Sequence, residues 1–262
     1  MRNPFLPCLC LIAATALTCA TINSYAQAID SHTLLATSLS AMTGGTPVVD
    51  VSIAGNTLRN FGSAQELGTI SLVARLGQGR IDWQVGSGAR TLVVDTTTQA
   101  PSGWWLDSTG QTHAIAEHNA WAGQAWFSPQ LTVAQVMQSI YSSQFVGAET
   151  LNGQVVNHVQ AFVVPAQGSA KSKQLLQNIS TIDLYLDPTT FFPVTLRFQA
   201  HPEDDALTDI PVEVRFSDYR NVNGAMLPFR IQRYQNGELL YDVSVASATT
   251  NSGVPSTRFL AQ

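Results

Sequence analysis

Two Asn-Gly pairs in the last seventy residues, Asn223-Gly224 and Asn236-Gly237, constrain this chain more than any other feature. A two-residue type I′ hairpin turn needs positive φ at both central positions, and Asn-Gly tolerates that at little cost. Each pair sits between stretches of alternating apolar and polar residues. Val212, Val214 and Phe216 share one parity, Leu227, Phe229 and Ile231 repeat it after the first turn, and Leu239, Tyr241, Val243 and Val245 after the second. Side chains two apart on a strand share a face, so this pattern predicts consecutive antiparallel strands with one buried face and one wet face.

The same reading extends through most of the chain. DVSIAG, TISLVARL, RIDWQVG and ARTLVVD recur at about ten-residue spacing between Gly-rich turns, as all-β domains do. WWLD and THAIAEH flank a turn at Asp107-Ser108-Thr109-Gly110, and strands are predicted over 155–163, 182–187 and 192–200. Three helices interrupt the series. The first spans 31–42, with Ser31 as its cap and Gly44-Gly45 as its stop. The second opens at Thr132-Val133-Ala134-Gln135, which has the capping-box form, and Val133, Val136, Met137, Ile140 and Tyr141 follow one helical face. The third, over 170–177, is short. The fold class is therefore mainly β (α+β): a strongly curved antiparallel sheet, a half-barrel of about ten or eleven strands, wrapped over two or three helices.

The N-terminal stretch reads as a secretory leader. Arg2 precedes an apolar run over 5–20, and Ala26-Gln27-Ala28 is a small-x-small site, so cleavage is expected near Ala28 and a single domain over 29–262. All three cysteines, Cys8, Cys10 and Cys19, lie in that leader. Lipid attachment at Cys19 is not expected, because Ala16-Leu17-Thr18 before it is a poor lipoprotein signal. Of 13 basic residues, loss of Arg2 leaves 12 against 18 acidic ones, a net charge of −6. That balance argues against nucleic acid as a partner.

No catalytic signature stands out. There is no G-x-S-x-G elbow, no H-E-x-x-H, and no thiol left after the leader. His113 and His118 are five apart, which suits neither a helix face nor a strand face, and loop or surface roles are the default for all five histidines. The acidic run His201-Pro202-Glu203-Asp204-Asp205 has carboxylates enough to suggest Ca²⁺, but lacks an EF-hand loop and reads as a solvated connection. The aromatic concentration Trp104, Trp105, Trp121, Trp126 and Phe127 is either core or the wall of an apolar cavity. Trp104 and Trp105, being adjacent, cannot both face inward from a regular strand.

DLYLDPTTFFPVTLRF, followed by VRFSDYRNVNGAMLPFRIQRYQNGELLYDVSVASATTNSGVPSTRF, resembles the periplasmic lipoprotein-carrier superfamily, which includes LolA-type, LppX-type and outer membrane lipoprotein-sorting proteins. The positions that carry the resemblance are Tyr185, Asp187, Pro193, Tyr219, Gly224, Pro228, Asn251 and Phe259, spread over about eighty residues. GSAQELGTISLVARLGQGRIDWQVGSGAR is similar to uncharacterised secreted bacterial proteins, for which no activity is implied. The resemblance implies a half-barrel over helices with an apolar cavity for acyl chains. The expectation is then an exported, periplasmic or secreted, monomeric binding protein, not an enzyme, that holds an apolar small molecule, a lipid or an acylated protein and uses no cofactor or metal. Trp104, Trp121, Trp126, Phe127, Val136, Met137 and Ile140 are the expected cavity wall. The alternative left open is an envelope scaffold with a filled core that acts through a protein partner.

Overall fold

The computed structural model describes residues 30–97, 101–121 and 126–260. The leader, its Ala28 boundary and Cys19 lie outside the described residues. Among the described residues thirteen strands form one sheet. The first six are β1 (Asp50–Phe61), β2 (Ala64–Arg75), β3 (Gln78–Val85), β4 (Gly88–Asp95), β5 (Ser102–Leu106) and β6 (Thr112–Ala114). The others are β7 (Tyr141–Leu151), β8 (Gln154–Val163), β9 (Ile182–Leu186), β10 (Pro193–Ala200), β11 (Ile210–Val222), β12 (Ala225–Gln235) and β13 (Glu238–Thr250). Helices α1 (Ser31–Thr43), α2 (Glu117–Ala120), α3 (Pro129–Val136) and α4 (Ala170–Ser180) interrupt them, and a 3₁₀ turn at Ser256–Phe259 follows β13.

The strand order is β6-β5-β4-β3-β2-β1-β13-β12-β11-β10-β9-β8-β7. Two antiparallel meanders are thus joined along one seam, where β1 pairs with β13 from Val51↔Thr250 to Arg59↔Tyr241. Both expected Asn-Gly turns have two positive φ angles, 52° and 90° at Asn223-Gly224 and 52° and 79° at Asn236-Gly237. Asn152-Gly153 makes a third such turn, between β7 and β8.

The sheet curls strongly. Seven places separate β2 from β8 in the strand order, which in a flat sheet is roughly 34 Å at ~4.8 Å per strand. Yet Leu76, at the end of β2, and Val163, at the end of β8, line the same cleft. The concave face holds the main core. Leu34, Leu35 and Met42 of α1 and Leu131, Val133 and Val136 of α3 are buried there against Leu72, Leu184, Leu196, Val214, Ile231 and Val243 of the sheet. The buried Gln130 amide donates to the Met226 carbonyl and fastens α3 to β12. On the convex face a smaller cluster of Val73, Val93 and Phe259 lies under the C-terminal 3₁₀ turn.

Two helix boundaries differ from expectation. Asp30, not Ser31, caps α1, accepting the Thr33 N–H at 2.9 Å, and Gly44 ends it with φ of 60°. The second helix starts at Pro129, one full turn earlier than the Thr132 capping box, because proline suits the first helical position. Thr132 instead donates its hydroxyl to the Ser128 carbonyl at 3.1 Å. The helix ends at Val136, so Ile140 and Tyr141 are not on it. Tyr141 opens β7, whose alternately half-buried and exposed residues pair with β8.

The residues that carry the resemblance serve turns and the seam. Asp187 accepts the Thr189 and Thr190 N–H groups at 3.0 and 2.7 Å. Tyr219 donates its hydroxyl to the Pro193 carbonyl. Asn251, with φ of 55°, accepts the Val49 N–H at 2.8 Å and donates to the Pro47 carbonyl at 3.0 Å.

Candidate functional site

The helices fill most of the hollow, but not one end of it. There a half-open cleft of about 840 Å³ separates the β2–β3 and β4 ends from the start of β7, the end of β8 and α4. That volume is within the range of small-molecule sites. Leu76, Ile140 and Val164 line it while remaining 38%, 48% and 56% exposed. Three large apolar side chains left in water at one cleft are a stronger signal than the same residues scattered singly. Trp121, Val163 and Leu176 add apolar wall. Among the described lining residues none is charged.

The polar groups in the cleft are neutral and mostly committed. The buried Gln135, at the last turn of α3, donates to Thr96 Oγ1 at 3.3 Å and to the Tyr141 hydroxyl at 3.2 Å. Thr96 in turn donates through its backbone and hydroxyl to the Gly77 carbonyl, at 2.7 and 3.0 Å. A strap of neutral hydrogen bonds therefore crosses the floor from α3 to the β4 end. Such a site favours hydrocarbon, with a few neutral groups to orient it.

The seven expected wall residues separate into four groups. Trp121 and Ile140 line the cleft. Phe127 and Val136 are fully enclosed in the core, with Met137 packed against it, so they support the cleft from behind. Trp126, 4% exposed, meets Phe127 edge to face at 5.7 Å and lines a separate, smaller pocket. Trp104 lies on the other side of the sheet. It pairs with Val93 across β4 and β5 and packs in the convex cluster, while Trp105 faces the hollow. Strand parity requires that one of the two point away, and the outward one is Trp104. Leu76 and Val164 went unmarked in the sequence. Each directly follows the last residue of a strand as an apolar residue where a polar turn residue is usual, and that is the signal that could have found them.

Most histidines are satisfied as expected. His113 meets Asp107 at 3.1 Å, and His158 lies between Glu149 and Asp183, each at 2.8 Å. Bonds from the Thr109 side chain, then from His113, hold the Asp107 carboxyl well below the usual carboxylate range. The acidic loop is spent on capping. Glu203 accepts the Ala116 N–H at 2.7 Å, and Asp205 accepts the Leu207 N–H at 2.8 Å and the Thr208 hydroxyl at 2.6 Å. Among the described residues no group of three or more carboxylates, histidines or thiols is placed to hold a metal.

An open, curled antiparallel sheet closed over helices is the LolA-type fold, and this chain has it. It is similar over 88% of its length to an outer membrane lipoprotein-sorting protein domain from Vibrio parahaemolyticus, with a TM-score of 0.55, 10% identity and 97% of that chain covered. A LolA superfamily protein from Nitrosomonas europaea matches 89% of the chain and 99% of its own, with a TM-score of 0.53 and 12% identity. A DUF1329 family protein from Desulfovibrio piger matches 88% of the chain and 95% of its own, with a TM-score of 0.57 and 11% identity. At these identities the likeness establishes the fold. No family model matches the chain, and no curated protein matches it in sequence.

Proposed function

We propose that this protein is an exported cell-envelope binding protein that holds the hydrocarbon part of a lipid or acylated molecule in the cleft at the open end of its sheet. In this reading residues 1–28 are a leader and 29–262 a single monomeric domain. The observation that carries it is the uncharged cleft of about 840 Å³ with Leu76, Ile140 and Val164 exposed at it. Binding energy comes from dehydrating the ligand, about 0.8 kcal/mol for each methylene buried. Binding rather than catalysis is the activity, because the cleft brings together neutral amides and hydroxyls with no charged partner to activate them. The two lipoprotein-sorting and LolA superfamily structures support a carrier role by analogy of fold.

The test is mass spectrometry of an organic extract from the purified native protein. A lipid at one equivalent per chain is the expected result. The hollow is largely filled by α1 and α3, and this favours one other reading, a scaffold that acts through a protein partner. A clean extract, with failure of the lipid-free protein to take up fatty acid, fatty alcohol or phospholipid, would decide for the scaffold.

A further inference from the structure

A second pocket, of about 220 Å³ and also half-open, lies beside the cleft. Leu92 and Val94 of β4 line it, and Thr96, just past the end of that strand, lines the cleft. Val94 and Thr96 are about 7 Å apart in strand rise. The apolar part of the pocket wall comes from Leu92, Val94, Trp105, Ile115, Trp126 and Phe198.

Two polar side chains in those walls have an enclosed atom without a partner, Arg233 at Nε and His201 at Nε2. Arg233 holds the parity of Leu227, Phe229 and Ile231, so β12 directs it into the hollow, next to a bulge between Arg233 and Tyr234. Its guanidinium lies over the Trp126 ring at 5.6 Å. Most other arginines on the sheet meet a carboxylate, as Arg230 does Asp242 at 2.9 Å and Arg197 does Glu213 at 2.6 Å. Among the described residues no carboxylate lies within 4 Å of Arg233. Burial pulls its pKa below the ordinary arginine value, a direction that a bound anion would reverse.

His201 has its side chain only 1% exposed. Its Nδ1 lies 3.1 Å from the Thr208 carbonyl and 3.6 Å from Asp209, which fixes the ring as part of the wall. Glu203 also lines the pocket, but it is exposed, and its oxygens accept from Ala116 and Asn119. A partly buried cation without a counter-ion carries a desolvation cost. A ligand that brings the missing negative charge offsets that cost.

We propose that this pocket is a subsite for the carboxylate of an apolar acid, with the inward Arg233 guanidinium as its counter-ion and hydrogen-bond donor. Guanidinium and carboxylate match in a planar, two-bond geometry, which selects an acid over an alcohol or ester of the same length. The proposal rests on the cleft reading for the ligand's tail and adds a charge, which the cleft lacks.

The experiment is calorimetric titration of the lipid-free protein at neutral pH with dodecanoate and, separately, dodecanol. The wild type is expected to bind the acid about tenfold or more tightly than the alcohol, the scale of one charge-assisted pair. In Arg233→Met that preference falls to near one while dodecanol affinity stays the same, and Arg233→Lys keeps part of it. Arg233→Met is expected to fold, since it removes an unpaired charge and keeps an apolar stem, and thermal unfolding verifies this. Equal wild-type affinity for acid and alcohol overturns the carboxylate subsite and leaves the cleft reading intact. Binding of neither overturns both.

Discussion

The Tyr219 hydroxyl donates to the Pro193 carbonyl across 2.6 Å, joining β11 to β10 at two positions of the recognised motif. The Tyr219 ring also packs on Phe192 at 4.9 Å, and burial holds its phenol well above the ordinary tyrosine range, so it remains a donor. Asp218, with φ of 56°, breaks the strand alternation just before it. Tyr219→Phe keeps the ring and leaves the carbonyl without that donor. The expected loss is about 1–2 kcal/mol in urea unfolding, with an unchanged denaturant slope and unchanged ligand uptake.

Ile140 and Val136 separate binding from stability. Ile140 is 48% exposed in the cleft and Val136 is 2% exposed behind it. Ile140→Glu is expected to shift unfolding by about 0.5 kcal/mol or less, yet to cut co-purifying lipid severely, because it places a carboxylate against hydrocarbon. Val136→Glu puts a charge in the closed core and is expected to prevent folding. Lipid retained at wild-type level by a folded Ile140→Glu protein would refute the cleft assignment.

Asp50 sets an acid limit. It is buried and accepts the Ser252, Gly253 and Val254 N–H groups and the Ser252 hydroxyl. Burial alone would raise its pKa, but these bonds outweigh burial and lower it. A carboxyl whose folded pKa is below its unfolded value, about 3.9, stabilises the fold at higher pH and loses that contribution as pH falls through the folded value. Asp50→Asn is therefore expected to cost about 1–3 kcal/mol near neutrality. The gap between the two proteins should stay constant above about pH 5 and shrink below about pH 4. Unfolding curves across pH read it directly; a gap that persists at low pH would assign the effect to shape, not charge.

Gly55 lies at the bulge where β1 shifts register against β13. A Cβ there would overlap the Ser244 carbonyl, a backbone atom that cannot step aside cheaply. Gly55→Ala is expected to cost more than the typical point change of about 1 kcal/mol. Hydrogen exchange should show protection lost first along β1 and β13. Gly86, where an added Cβ would meet only the Glu66 side chain at ordinary contact distance, is the control for general glycine effects.

The C-terminal meander was legible because its information is local. Asn223-Gly224 and Asn236-Gly237 name their turns, and the alternation on either side names the faces. β7 was not, because Val133, Val136, Met137, Ile140 and Tyr141 fit a helical period as well. What ends α3 and extends Tyr141 is pairing with β8, which a local pattern cannot display, although Pro129 did mark the helix start. In the site, parity said that one of Trp104 and Trp105 turns outward but not which, since that depends on neighbouring strands. An inward Arg233 could be read from the series Leu227, Phe229, Ile231. Its lack of a counter-ion could not, because that is a property of everything packed around it.

The seam between β1 and β13 has a consequence for how the molecule is made. Asp50 and Ser252, bonded beside that seam, are 202 residues apart. Until the final strand arrives, each meander carries a bare margin, and bringing such distant stretches together is slow. A circular permutant opened between β6 and β7 and spliced at the seam would pair each strand with its immediate predecessor. It should reach the same native state on a faster clock.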